Sequence, residues 1–121
     1  MMSLETLCSG LRSTVSVLLV DGHSEALDYL NSLPRKNFIK LQLLLRMLAD
    51  DQFIANPEKF RRLSAGIYEL KLRKPPVRLF CFQDGPDWIC THGAVKPGKR
   101  ELQSHIAKVE VLRQRYLKER I

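Results

Sequence analysis

Four cations crowd one stretch of sequence, GIYELKLRKPPVRLFCF at residues 66–82: Lys71, Arg73, Lys74 and Arg78. A second basic group, Lys96, Lys99 and Arg100, follows in VKPGKRE at residues 95–101. Two cationic groups of different sequence origin, one of them at a predicted helix start, make a phosphate-sized anion site more plausible than either does separately. Arginine adds forked planar donors and a charge that does not titrate. His92 and His105 are candidates for proton transfer, because an ordinary imidazole titrates near neutrality. Each feature also has a plain structural reading. Lys and Arg are common on a solvated sheet face, His92 can be a strand histidine bonded to backbone, and His105 can be a helix surface residue.

The elements that would position these groups are readable from periodicity. TVSVLLV at 14–20 is rich in β-branched residues and ends at Asp21-Gly22, which predicts a strand and a turn. Ala26, Leu27, Leu30 and Leu33 recur at helical spacing, with Ser24 as a cap and Pro34 as a stop. RKNFIKLQLLLRMLAD places Phe38, Leu41, Leu44, Leu45 and Leu48 on one face and predicts a second helix. Three strands are expected at about 66–73, 77–84 and 87–95. They are separated by Pro75-Pro76 and Asp84-Gly85-Pro86, short connections that imply an antiparallel meander. Leu102, Ile106, Val109, Leu112 and Tyr116 predict a last helix over about 100–118. The expected order is β-α-α-β-β-β-α, an α+β domain filling residues 1–121, with residues 1–13 an extension or disordered.

Strand alternation puts Tyr68, Leu70 and Leu72 on one face and Ile67, Glu69, Lys71 and Arg73 on the other. The apolar set is expected to pack on the helices and the basic set to face away from them. Pairing Arg73 with Arg78 would bring Lys71, Arg73 and Arg78 together, and a one-residue slip would part them. Trp88 and Tyr68, in strands among apolar neighbours, are expected to be core.

Composition narrows the function classes. The chain has 121 residues and a net charge of +7. Residues 1–58 hold five Lys/Arg and seven Asp/Glu, whereas residues 59–121 hold fifteen and six, so the charge runs from −2 to +9. That asymmetry points to a polyanionic partner. Cys8, Cys81 and Cys90 are odd in number and lack CxxC spacing, which argues against a zinc site or a disulfide framework and suits a reducing cytosol. There is no signal-peptide pattern at the start, and every apolar run is too short to span a membrane, so a cytoplasmic protein is expected.

FRRLSAGIYELKLRKPPVRLFCF, then ICTHGAVK, then a basic turn and a final helix resemble the phage-derived HigB-like branch of the RelE/ParE toxin superfamily, over about residues 13–116. The resemblance implies a RelE-like fold with an N-terminal helical hairpin, an antiparallel sheet and a C-terminal helix. It implies the toxin of a type II toxin–antitoxin pair, a ribosome-dependent mRNA endoribonuclease that uses no metal or cofactor and turns the ribose 2′-OH on the adjacent phosphate. Its implied partners are the ribosome and mRNA, a helix-turn-helix, HigA-like antitoxin, and operator DNA through that antitoxin only. YELKLR is similar to the family strand YKIKLR, so Lys71 and Arg73 match basic positions and Glu69 stands where the family has lysine. Arg78 matches an arginine early in the next strand, and Arg100 matches the arginine of GKRE. Lys74, Lys96 and Lys99 are further phosphate-binding candidates. The family tyrosine six residues after that arginine is here Ile106, which leaves the acid–base pair open, with His92 and His105 as candidates. ParE-like gyrase poisons and a non-cleaving RNA-binding module are the competing readings.

Overall fold

The computed structural model describes residues 1–120. The chain runs β1 (Met2–Ser9), β2 (Thr14–Val20), α1 (Glu25–Ser32), α2 (Arg35–Asp51), β3 (Phe60–Ser64), β4 (Ile67–Leu72), β5 (Val77–Asp84), β6 (Asp87–Ala94) and α3 (Lys99–Arg120). The strands form one six-stranded sheet in the order β1-β2-β6-β5-β4-β3. The β2–β6 pairing is parallel and the others are antiparallel, so the sheet is mixed.

This corrects the expected β-α-α-β-β-β-α order: the observed order is β-β-α-α-β-β-β-β-α, and the helical hairpin is not N-terminal. Two strands make the difference. β1 occupies residues read as an extension and pairs with β2 from Met2 opposite Val20 to Ser9 opposite Thr14. It is an edge strand with mostly exposed side chains, so it lacks the alternating apolar pattern that reveals a half-buried strand. β3 is only five residues long and turns into β4 through Ala65 and Gly66, whose φ of 72° suits glycine.

Two apolar layers hold the sheet. On one face α1 and α2 bury Ala26, Leu30, Leu41, Leu45 and Leu48 against Val15, Val17, Leu70, Leu79, Cys81 and Trp88. Ser24 caps α1 by accepting a hydrogen bond from the Leu27 N–H at 3.1 Å. On the other face α3 packs Leu102, Ile106, Val109, Leu112 and Tyr116 over Leu18, Ile67, Phe80, Phe82 and Ile89. The face carrying Glu69 and Lys71 is therefore not turned away from the helices. α3 lies along it, and Glu69 is completely buried.

Trp88 is fully buried, as expected, and donates its indole N–H to the Gln52 carbonyl at 2.8 Å. Tyr68 is partly buried, stacked on Phe60 and edge-on to Trp88 and Phe53. Cys81 and Cys90 are buried thiols, and burial pushes the Cys90 thiol up to about 12, which makes it inert. No helix among the described residues is long and apolar enough to cross a membrane.

Candidate phosphate-binding cleft

The β4–β5 register pairs Lys71 with Arg78 and Leu72 with Val77. It differs by two residues from a pairing of Arg73 with Arg78: Lys71 and Arg78 stay on one face, and Arg73 falls in the turn, where it borders both that face and the groove on the α2 side. A cleft of about 300 Å³ opens there, lined by Arg61, Lys71, Arg73, Pro76, Arg78 and Lys96. It adjoins a smaller one of about 180 Å³ that shares Arg61, Arg78 and Lys96 and continues to Gly98, Lys99 and Leu102 at the start of α3. The two basic groups of the sequence thus meet, although 18 residues separate Arg78 from Lys96.

Arg78 is the best-held cation. Its side chain is only 12% exposed, and its Nε lies 3.1 Å from Glu69 Oε1. Its Nη1 donates to the Val77 and Leu72 carbonyls at 3.2 and 3.4 Å. Its backbone N–H donates to the Tyr29 hydroxyl at 3.3 Å, and that hydroxyl donates to the Ala94 carbonyl at 3.0 Å. Tyr29 therefore clamps the start of β5 to the end of β6. Gly93 makes room for the clamp, since a Cβ there would lie 2.1 Å from the tyrosine ring. Gly93→Ala should accordingly destabilise the fold by about 1–3 kcal/mol, the usual cost of overpacking. A clear fall in midpoint on thermal unfolding checks this, and an unchanged midpoint would show that the clamp is loose.

Arg61 was not singled out from the sequence. It stands on β3 directly opposite Glu69 and donates through Nη2 to both carboxylate oxygens, at 3.2 and 3.4 Å. The turn at Ala65-Gly66, with Ser64 opposite Ile67, would by simple alternation set Arg62 across from Glu69. A bulge between Arg62 and Ser64 shifts the register by one residue and brings Arg61 there instead, which the hydrophobic pattern does not announce. Lys71 is held below an ordinary lysine by partial burial first and by the Arg61 and Arg78 charges next. A lysine shifted that way gives up its proton more readily, and an anion bound in the cleft would reverse the shift.

The remaining candidates separate. Arg73 is largely exposed and pairs with Glu58 at 3.0 Å. Lys74 faces away from the cationic cleft, into a larger groove of about 620 Å³ whose walls include Leu43, Met47, Ile54 and Leu72. Its floor is apolar, and Lys40, Lys59 and Arg73 stand with Lys74 on its walls, so Lys74 belongs to a second cationic groove on the α2 side of the sheet. Lys96 and Lys99 line the cleft, whereas Arg100, exposed on the first turn of α3, does not.

His92 and His105 meet face to face with Phe80. His92 Nε2 lies 2.9 Å from His105 Nδ1, and both rings stack on Phe80 with centroids 4.9 Å away. A β-bulge makes this possible. Phe80 pairs with His92 and Cys81 with Cys90, leaving Thr91 as an extra residue in β6. Strict alternation would put His92 on the Trp88 face; the bulge turns it toward α3 and sets Thr91 Oγ1 2.9 Å from His92 Nδ1. Ala94 pairs with Arg78, so His92 lies diagonally across from Arg78, about 7–8 Å away by strand geometry.

Burial first, then the Lys108 and His105 charges, lowers the His92 pKa from 6.5 to about 4. The folded protein therefore refuses a proton that the unfolded chain accepts near pH 6.5. Stability from this group is full above pH 6.5 and falls as the pH drops toward 4. The loss should reach roughly 2 kcal/mol by pH 5. Urea unfolding at pH 7 and pH 5 checks it, and His92→Gln should flatten that part of the profile. An equal slope in wild type and variant would mean that His92 is not the group responsible.

Comparison with protein-family models, curated proteins and solved structures found no match to this chain.

Proposed function

We propose that the protein is the toxin of a type II toxin–antitoxin pair, a ribosome-dependent mRNA endoribonuclease of the HigB-like kind. The observation that carries the reading is the cleft in which Arg61, Lys71, Arg73, Arg78, Lys96 and Lys99 converge from β3, β4, β5 and the α3 approach. Only one buried carboxylate, Glu69, reaches among them. A cleft this cationic favours a ligand with more than one negative charge, as a nucleic-acid backbone has.

The chemistry follows from charge. A base takes the proton of a ribose 2′-OH, the oxygen attacks the neighbouring phosphorus, and the bond to the 5′-oxygen breaks as that oxygen takes up a proton. The phosphorane-like transition state carries more negative charge than the diester, so cations fixed in advance stabilise it more than the ground state. Arg78 and Arg61 are the cations for that task. Lys71, in the cleft and held below an ordinary lysine, is a better proton carrier than His92, which is buried and stays neutral until about pH 4. The His92–His105 pair stacks on Phe80, two residues along β5 from Arg78.

On this reading the protein works in the cytoplasm on ribosome-bound mRNA. A helix-turn-helix antitoxin neutralises it and carries the complex to operator DNA. Induction in a bacterial host tests the class of target. Amino-acid incorporation should stop within minutes while thymidine incorporation continues. The reverse order would identify a gyrase poison, and undisturbed synthesis of both would leave a non-cleaving RNA-binding module.

A further inference from the structure

We infer that Glu69 is a positioning residue: it holds the Arg61 and Arg78 guanidiniums in place, so that the phosphate meets fixed rather than mobile cations. This rests on the reading of the cleft as a phosphodiester-cleavage site.

Three observations carry it. Glu69 is fully buried, paired with Phe80 and next on its sheet face to the Ile67–Phe82 pair, where an unpaired carboxylate would be costly. Its carboxylate accepts two hydrogen bonds from Arg61 Nη2 and lies 3.1 Å from Arg78 Nε, so it bridges β3 and β5 from the strand between them. Arg61 has a side chain 43% exposed and, among the described residues, no other anion within ion-pair distance, so its orientation depends on Glu69. A cation is expected at this position from the family resemblance. An acid there serves the same chemistry by another route, because two guanidiniums brought together without an anion repel each other.

The role has a signature that charge neutralisation alone does not. Glu69 opposes the binding of any anion, so a neutral replacement should leave ground-state binding equal or tighter. The transition state, which needs the guanidiniums correctly aimed, should lose. Glu69→Gln keeps the shape and removes the charge. For this variant the affinity for a 2′-O-methylated RNA oligonucleotide, which cannot be cut, should be unchanged or up to several-fold higher. Its rate of message cleavage at saturation should fall at least 10-fold.

A second measurement needs neither the variant nor the nuclease. In nitrogen-15 spectra of the wild-type protein, the Arg61 and Arg78 guanidinium groups should show hindered rotation about the Cζ–Nε bond, in contrast to exposed Arg115. Free rotation of Arg61 in the wild type would overturn the proposal, as would Glu69→Gln cleaving at the wild-type rate. Hindered arginines in a protein that cuts no message would instead overturn the nuclease reading while leaving the clamp standing.

Discussion

Alanine in place of Arg78 is expected to lower message cleavage at saturation at least 100-fold. Removal of a single donor aimed at a developing oxyanion commonly costs a factor of 10² to 10³, and Arg78 is the cation common to both parts of the cleft that is held by the most partners. The variant also leaves Glu69 with Arg61 as its one remaining ion-pair partner among the described residues, so some stability goes with it, up to about 3 kcal/mol. Circular dichroism and a melting curve separate the two effects, because a rate measured well below the variant's midpoint reports the chemistry alone. Arg78→Lys should fall between the two, since it keeps the charge and loses the fork. Arg100→Ala is the contrast. The family resemblance puts this arginine beside the phosphate, but it does not line the cleft, so its loss should cost less than about 10-fold. A greater loss at Arg100 than at Arg78 would move the site toward the outer surface of α3.

The second large effect concerns the fold. Trp88→Ala should destabilise the protein by about 3–5 kcal/mol, enough to lower the melting midpoint by roughly 10–20 °C in a domain of this size. The indole is fully buried and meets Phe60 and Tyr68 edge-on, with centroids 5.1 Å away in both cases. Its N–H satisfies the Gln52 carbonyl at the end of α2, where the backbone turns left-handed with φ of 69°. One residue thus ties β6, the β3–β4 hairpin and the α2 terminus together. Trp88→Phe should recover most of the loss and leave the missing hydrogen bond, about 1 kcal/mol. A midpoint unchanged in the alanine variant would mean that the aromatic cluster repacks without it.

The parts of the fold legible in the sequence are those with a strong local period. Leu41, Leu44, Leu45 and Leu48 marked α2, and the alternation from Ile67 to Leu72 put Tyr68 and Leu70 on one face and Glu69 and Lys71 on the other. β1 was not legible, because an exposed edge strand needs no apolar face and its pairing with β2 is decided by tertiary contacts. The site was legible as a composition of cations but not as a geometry. Lys71 meets Arg78 because the turn takes up Arg73 to Pro76, a choice that alternation leaves open. Arg61 went unread because it belongs to a five-residue strand, and the meaning of Glu69 depends on Arg61. His92 sits on the α3 face only through the extra residue Thr91, and a bulge leaves no mark on the hydrophobic pattern. Once that bulge is in place, His92 and His105 come within 2.9 Å although 13 residues separate them.

The most direct test of the central claim is a cell-free translation reaction with purified protein and one defined message, its 5′ ends mapped by primer extension. The account predicts new ends at in-frame codons that appear only when ribosomes are present and translating, and that vanish with Arg78→Ala at a temperature where that variant is folded. An intact message in the presence of folded wild-type protein would contradict it, as would cuts that persist undiminished in the Arg78 variant.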